Sequence, residues 1–223
     1  MLLAIDTSTA QIGLALYDGT TVLAELVETS PAHHTQELAP LVSGLLKRTG
    51  ATIASLRVLG VAVGPGSFTS LRVGLAFAKG LALAQNIPLV GVPTLDIVAA
   101  GVPVAALRLA AVLQAGRGRL ALVWYHASVD GWQAEGTARV TTAEELEAEI
   151  HHPVLVCGEL TADDRSRLAR KFVNVTLASP AQCVRRPAVL AEMAWKRWLA
   201  GQVDAVASLA PIYLHVASGG LTA

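Results

Sequence analysis

The sequence predicts an α/β protein of two lobes, each a mixed sheet flanked by helices. Short apolar runs alternate with amphipathic segments in the order β-β-β-α-β-α, and this order occurs in each half of the chain. The 223 residues are enough for one large domain or two small lobes with a buried core. The duplication rests on element order, because the two halves have little sequence similarity.

The N-terminal half opens with three predicted strands. Asp18-Gly19, between the second and the third, is typical of a tight hairpin turn. Gly50 ends the first predicted helix. The expected elements are strands Leu2–Asp6, Ile12–Tyr17 and Thr21–Val27, helix His33–Lys47, strand Val58–Val63, helix Thr69–Ala84, strand Pro88–Val92 and a short helix through Ala100.

The C-terminal half repeats this pattern, with Asp130-Gly131 as the hairpin turn. Thr142 followed by Glu145 is a capping-box pattern that opens a helix. The expected elements are strands Arg108–Gln114, Leu120–His126 and Gln133–Val140, helix Thr142–Ile150, strand Val154–Val156, helix Ala162–Lys171, strand Val173–Leu177 and helix Pro187–Ala200. We therefore expect an N-terminal lobe over residues 1–103 and a shorter C-terminal lobe over residues 104–223.

The composition excludes some classes of function. The chain is 53% hydrophobic and 15% charged, and its 17 Lys and Arg balance its 17 Asp and Glu. Such neutrality argues against unaided binding to nucleic acid or membranes by bulk charge. The apolar tracts are too short to span a membrane and the N-terminus does not resemble a signal peptide, so a cytoplasmic location is expected. Cys157 and Cys183 are interpreted as buried thiols.

The predicted helix Thr69–Ala84 is apolar nearly all round. Between Leu71 and Ala84 the charged residues are Arg72 and Lys79, on one side of the helix. A helix of this kind must be covered all round, and part of the cover is expected from another subunit. Small residues recur every fourth position on two rows, Gly74/Ala78/Ala82 and Ala76/Gly80/Ala84.

Two loops are candidates for binding a nucleotide phosphate. In the first, a carboxylate and three hydroxyls follow the first strand, at Asp6, Thr7, Ser8 and Thr9, and could hold magnesium and phosphate. The alternative is a turn closed by hydrogen bonds from its own side chains. In the second, the residues at a strand-to-helix junction that could face an anion are Gly64, Gly66, Ser67 and Thr69. The alternative there is a tight turn with a Ser or Thr N-cap.

Catalytic chemistry is not evident elsewhere. His33 and Glu37 lie one helical turn apart, but two ligands do not make a metal site, so a solvated helix start or interface hydrogen bonding is favoured. Basic residues of the second half, including Arg185-Arg186, are interpreted as solvated surface, with a nucleic-acid contact as the alternative. We predict no catalytic residues, no metal site and no cofactor.

Four segments resemble the TsaB (YeaZ) family. They are Asp6-Thr-Ser-Thr9, His34-Thr-Gln-Glu-Leu-Ala-Pro40, the run from Gly64-Pro-Gly-Ser-Phe-Thr to Ala82, and Pro211-Ile-Tyr-Leu214. The resemblance is dense over the first 100 residues or so and thin afterwards. The chain departs from the family pattern at Ser70, where glycine is usual, and at Gln114-Ala-Gly-Arg-Gly-Arg119, which lacks the family's acidic residues.

The resemblance implies an ASKHA (actin-like, sugar-kinase-like) fold and a role in making N6-threonylcarbamoyladenosine at position 37 of tRNAs. It implies a non-catalytic scaffold that forms a heterodimer with the related transferase TsaD, while the ATPase TsaE docks on the pair and tRNA is contacted only through the complex. TsaD carries metal-binding histidines in a Val-Asn-His-x-x-x-His segment, and Thr94 and Val98 stand at those positions here.

The two long helices of the first half are therefore expected to pack against the equivalent helices of TsaD, or against a second copy when the chain is alone. The residues expected at this interface are His33, His34, Glu37, Leu38, Leu41, Val42, Leu45, Leu71, Gly74, Leu75, Ala78 and Ala82. The alternative is an active ASKHA-type ATPase or phosphotransferase that uses Asp6 and the loop Gly64–Thr69.

Overall fold

A computed structural model describes residues 1–30, 33–171 and 173–214. The predicted α/β class with two mixed sheets is confirmed, and the first sheet has five strands in the order β3-β2-β1-β4-β5. Its strands are β1 Leu2–Asp6, β2 Gln11–Tyr17, β3 Val22–Thr29, β4 Val58–Ala62 and β5 Leu89–Val92. The helices of this half are α1 His34–Thr49, α2 Phe68–Gln85 and α3 Thr94–Ala100, with a short 3-10 helix at Ile53–Ser55.

The second sheet has six strands, in the order β11-β10-β6-β7-β8 with β9 also paired to β7. Its strands are β6 Arg108–Gln114, β7 Leu120–Ser128, β8 Gly131–Ala134, β9 Arg139–Thr141, β10 Val154–Gly158 and β11 Val175–Leu177. The remaining helices are α4 Ala143–Glu149, α5 Ala162–Ala169 and α6 Pro187–Leu199. Every helix in the described ranges is too short or too polar to cross a lipid bilayer.

β1 is the central strand of the first sheet, and all of its residues are buried. It pairs antiparallel with β2 and parallel with β4. One face of the sheet carries Leu3 and Ile5 and packs under α1 and α2, while the other carries Leu2 and Ala4 and packs under α6. Burial on both faces explains why β1 is continuously apolar up to Asp6.

The lobes exchange helices, so a boundary at residue 103 does not describe the packing. α6 comes from the C-terminal half but contacts β1, β2 and β4, whereas α3 comes from the N-terminal half and contacts β6 and β8. After α6 the chain stays beside the first sheet, where Ile212 N donates to Val63 O at 2.7 Å. The sequence pattern missed this exchange because an apolar helix face does not specify which sheet it covers.

The predicted strand Gln133–Val140 is wrong, because it is two short strands. Both β8 and β9 pair with β7. The chain turns away between them at Gly136, whose φ is 90°. By contrast, the predicted capping box before α4 is confirmed, with Thr142 Oγ1 accepting from Glu145 N at 3.1 Å and Glu145 Oε2 accepting from Thr142 N at 2.8 Å.

α2 buries one of its two small-residue rows against its own sheet. Its buried residues are Leu71, Gly74, Leu75, Ala78 and Ala82. A Cβ on Gly74 would lie 2.2 Å from Thr7 Oγ1, so only glycine permits this approach. The row Gly74/Ala78/Ala82, assigned from the sequence to contact with another chain, therefore lies inside this one. That assignment is wrong.

The same correction applies to several of the α1 residues expected at the interface. Val42 belongs to the core but also lines a surface groove, whereas Leu38 and Leu45 belong to the core alone. His34 is 5% exposed and is also buried. The remaining candidates are His33, just before this helix, and Glu37 and Leu41 on it, and they are exposed or half-buried.

Replacing Gly74 with alanine should destabilise the fold. The added methyl group would force Thr7 or α2 to move, and overpacking of this kind typically costs about 1–3 kcal/mol. The matched control is Gly44→Ala in α1, where a Cβ meets none of the described atoms within 4 Å. Since alanine favours a helix over glycine, the control should be neutral or stabilise by about 1 kcal/mol. Urea denaturation measures both, and equal effects would contradict this packing.

Candidate functional site

The first candidate site lies between the two sheets and centres on the buried Arg185. Its Nε donates to Asp6 Oδ2 at 2.8 Å, and the two side chains are only 1% and 3% exposed. Its Nη2 donates to Thr9 Oγ1 at 2.9 Å, and its Nη1 pairs with Glu159 Oε1. Asp6 is the last residue of β1 and Thr9 follows it, whereas Glu159 follows β10. We call Asp6, Thr9, Glu159 and Arg185 the Arg185 clamp, because they join the ends of one strand from each sheet.

The clamp keeps the Asp6 carboxylate ionised and balances its charge with that of Arg185. Burial alone would raise the pKa of Asp6, but the Arg185 charge and the hydrogen bonds from Arg185 and Ser8 hold it below its ordinary value. Asp6 Oδ1 accepts from Ser8 N at 2.8 Å, so both carboxylate oxygens have donors. Burial alone would lower the pKa of Arg185, but Asp6 and Glu159 raise it. The carboxylate that could have held magnesium is therefore bound to a cation of the chain itself.

The two candidate phosphate loops contact each other. Ser67 N donates to Ser8 O at 2.7 Å, and Gly64 N donates to Thr94 Oγ1 at 3.0 Å. A Cβ on Gly66 would lie 2.1 Å from Ser8 O, which explains the glycine. Two of the backbone N–H groups that could bind an anion, those of Ser67 and Gly64, are thus already engaged.

Local hydrogen bonds match the turn and N-cap interpretations of both loops. The Asp6–Ser8 bond closes a turn, and Ser67 Oγ caps α2 by accepting from Ser70 N at 3.4 Å. Thr7 Oγ1 donates to Ser70 O at 2.7 Å and ties the first loop to the helix. Thr69 lies exposed on the first turn of α2.

Thr94 and Val98, at the positions that correspond to the TsaD histidines, also make contacts within the chain. Thr94 is fully buried, and its hydroxyl lies 2.8 Å from Ser8 Oγ. Val98 packs in the core under the second sheet. Across residues 1–30, 33–171 and 173–214, His, Cys, Asp and Glu side chains form no group of three or more that could hold a metal ion.

The second candidate site is the solvent-facing side of α1 and α2, which we call the outer face. The row Ala76/Gly80/Ala84 lies here, beside the half-buried Phe77. A groove of about 720 Å³ runs between the helices, and one of about 530 Å³ lies over the first turns of α2. The larger groove is lined mainly by small or apolar residues, including Ala39, Val42, Leu46, Ala51, Ile53, Ala76, Phe77, Gly80, Leu81 and Ala84.

Arg72 and the last described residues border the outer face. The Arg72 guanidinium lies 3.6 Å from the centre of the Phe68 ring, and its Nε donates to Tyr213 Oη at 2.8 Å. The centres of the Phe68 and Tyr213 rings are 4.9 Å apart. The Pro211–Leu214 motif therefore holds the start of α2, while Phe68 remains 54% exposed.

Sequence reasoning missed Arg185 and Glu159. Arg185 was assigned to a solvated surface because it adjoins Arg186, which is 54% exposed and donates to Glu25 at 2.8 Å. The available signal was the proline at residue 187, which starts α6 and orients the residues just before it. That signal does not identify the partners, because they lie far away in the sequence.

Removing Arg185 should destabilise the chain strongly. Arg185→Ala leaves Asp6 buried without its cation, and breaking a buried ion pair in this way typically costs about 3–5 kcal/mol. The matched control is Arg186→Ala, whose exposed pair should contribute about 1 kcal/mol or less. Denaturant titration compares the two free energies of unfolding. Similar small losses for both variants would show that the clamp does not join the lobes.

Comparison with known proteins agrees with the motifs. A family model described as TsaD, tRNA N6-adenosine threonylcarbamoyltransferase, matches residues 21–186. The tRNA threonylcarbamoyladenosine biosynthesis protein TsaB of Escherichia coli is 36% identical over 154 residues, which are 68% of this chain and 64% of that protein. A tRNA N6-adenosine threonylcarbamoyltransferase of Nitratidesulfovibrio vulgaris is 40% identical over 105 residues, which are 40% of this chain and 29% of that protein. The match thus spans less than two thirds of each relative.

Solved structures show the same fold. YeaZ from Pseudomonas aeruginosa superposes with a TM-score of 0.79 at 24% identity, over 96% of this chain and 99% of that one. The ethanolamine utilization protein EutJ from Carboxydothermus hydrogenoformans gives a TM-score of 0.51 at 13% identity, over 85% of this chain and 88% of that one. These superpositions show that the chain has the ASKHA-type fold. Since the family model covers more than half of the chain and the relatives include TsaB, the chain belongs to the TsaB (YeaZ) family.

Proposed function

We propose that this chain is a non-catalytic subunit in the synthesis of N6-threonylcarbamoyladenosine on tRNA. In this proposal it forms a heterodimer with the transferase TsaD in the cytoplasm, TsaE docks on the pair, and tRNA is contacted only through the complex. The observation that carries the proposal is the apolar outer face of α1 and α2. The names of the related proteins support a role in this synthesis.

The form of the outer face supports docking of another pair of helices. Its row Ala76/Gly80/Ala84 is flat, and a Cβ on Gly80 meets none of the described atoms within 4 Å. The backbone of a partner helix can therefore approach closely. Leu83, at 72% exposure, extends the apolar surface towards the end of α2. Large exposed apolar patches commonly mark protein interfaces.

A related chain is the partner that fits best. The relatives named as transferases match this chain at 37–40% identity over 105 residues, so they are expected to carry a similar helix pair. Two similar pairs can meet about an approximate two-fold axis, and two copies of this chain can meet about an exact one. Stable interfaces of this type bury about 2,000 Å² or more. We therefore propose a homodimer when the chain is alone.

The Arg185 clamp supports the non-catalytic part of the proposal. A phosphotransferase of this fold would need Asp6 and the loop Gly64–Thr69 open to magnesium and nucleotide. Here Asp6 is neutralised by Arg185, and Ser67 N is bonded to Ser8 O. Opening the site would require breaking a buried ion pair, which is costly.

A charge on the outer face should prevent both kinds of dimer. Ala76→Glu places a carboxylate in the groove at an exposed position, so the monomer should still fold. Size-exclusion chromatography with light scattering, alone and with purified TsaD, should show at least a tenfold weaker association for the homodimer and heterodimer. The matched control is Ala148→Glu on the exposed side of α4. Unchanged co-elution of Ala76→Glu with TsaD would overturn the proposed docking face.

The alternative is an active ATPase or phosphotransferase, which the transferase names of some relatives keep open. We expect the purified chain to hydrolyse no ATP above background with magnesium, because the clamp closes the site. A phosphate-release assay tests this, with Asp6→Asn as the paired variant. Magnesium-dependent hydrolysis that Asp6→Asn abolishes would favour the alternative over the scaffold.

A further inference from the structure

The two cysteines of the chain lie in contact, although they are 26 positions apart. Cys157 is on β10, and Cys183 lies between β11 and α6. Their sulfur atoms are 3.9 Å apart. Any disulfide within this chain must join these two residues, so the pair is defined without ambiguity.

The surroundings of Cys183 favour its thiolate. Its sulfur accepts from Gly158 N at 3.5 Å and lies 3.8 Å from Arg165 Nη1. Arg165 is held in place because its Nη2 donates to Ala178 O at 2.8 Å. The hydrogen bond from Cys157, with those from Gly158 and Arg165, outweighs burial and lowers the pKa of Cys183 to about 6.

The two thiols differ in access and in protonation. Cys183 is half-buried and lines a cavity of about 300 Å³ together with Glu159 and Arg165. Cys157 is fully buried behind it. The hydrogen bond to Cys183, together with burial, raises the pKa of Cys157. A small oxidant therefore meets the thiolate of Cys183 first and the protonated thiol of Cys157 second.

We propose that Cys183 and Cys157 form a reversible redox pair that reacts with peroxides. The thiolate of Cys183 attacks one peroxide oxygen, the O–O bond breaks, and the departing hydroxide takes up a proton to become water. This step leaves a sulfenic acid on Cys183. Cys157 then loses its proton as its sulfur attacks the Cys183 sulfur, the S–O bond breaks, and hydroxide leaves with that proton as water.

The sum of the two steps is two thiols and one peroxide giving one disulfide and two waters. The thiols lose two electrons and the peroxide gains them. A dithiol reductant reverses the change by thiol–disulfide exchange. Pairs of this kind in reducing compartments are usually transient or redox-sensing and seldom structural.

The disulfide would act on the clamp that joins the lobes. Cys157 is two residues before Glu159, and Cys183 is two residues before Arg185, so the sulfur pair lies beside the Arg185–Glu159 ion pair along both segments. A disulfide has an S–S length of about 2.0 Å, so the sulfurs must approach by roughly half of their present separation. Oxidation therefore tightens the two segments that carry the clamp.

The first test is oxidation of the purified 223-residue chain by hydrogen peroxide. Intact mass under non-reducing conditions should show the loss of one hydrogen from each thiol, reversed by dithiothreitol. In Cys157→Ala, dimedone should trap the sulfenic acid on Cys183. In Cys183→Ala, Cys157 should stay unreacted at the same peroxide dose. Oxidation of both cysteines to separate adducts, with no disulfide in the unmodified chain, would overturn the proposal.

The second test measures the thiolate directly. The rate of Cys183 alkylation by iodoacetamide should reach half of its maximum near pH 6, and Arg165→Gln should move this midpoint upward. The charged and titratable groups around the sulfur are Arg165 of α5, Glu159 after β10 and Cys157. The matched control is Arg167→Gln, since Arg167 is on the same helix and pairs with Glu147. An unshifted midpoint in Arg165→Gln, or the same shift in the control, would contradict the assigned environment.

Discussion

The buried guanidinium of Arg185 is the contact on which the arrangement of the lobes depends. A cation at 1% exposure is tolerated only when anions and hydrogen-bond acceptors replace its water. Asp6 and Thr9 supply them from the end of β1, and Glu159 supplies them from the end of β10. Since neither sheet alone satisfies Arg185, the cation holds the ends of β1 and β10 together.

This constraint decides whether the site between the two sheets can bind a nucleotide. The loops after β1 and before α2 are the two candidates for meeting a nucleotide, and they contact each other. Here Ser67 N and Gly64 N are bonded within the protein, and Asp6 is neutralised. The polar groups between the two sheets thus bond to one another. The exposed apolar surface is the outer face of α1 and α2.

The cysteine pair adds a chemical connection to the same junction. The sulfurs of Cys157 and Cys183 lie within two residues of Glu159 and Arg185, on the same two segments. The clamp and the thiol pair therefore lie on the same two segments, and we expect a disulfide between the cysteines to change the geometry of the clamp. The outer face is formed by residues of α1 and α2 and shares none with the cysteine pair or the clamp, so the redox proposal and the docking proposal stand on separate observations.

Local pattern was enough to predict most strands and helices, because periodicity and capping act between residues close in the sequence. The strand ending at Asp6 and the capping box of Thr142 with Glu145 depend only on neighbouring residues. The interpretation of the loops as tight turns with an N-cap rests on hydrogen bonds of the same short range. The resemblance to a family added the lobed fold, which element order alone suggested only coarsely.

Other features were decided by packing between distant parts of the chain. Both small-residue rows of α2 fit a close approach, and only the position of the sheet shows that Gly74 faces Thr7 while Gly80 faces outward. The pairing of Arg185 with Asp6 spans 179 residues, so no local rule separates it from its exposed neighbour Arg186. The sequence by itself determined the elements and their apolar faces. Tertiary structure decided which face meets which partner, since burial and charge pairing depend on positions in space.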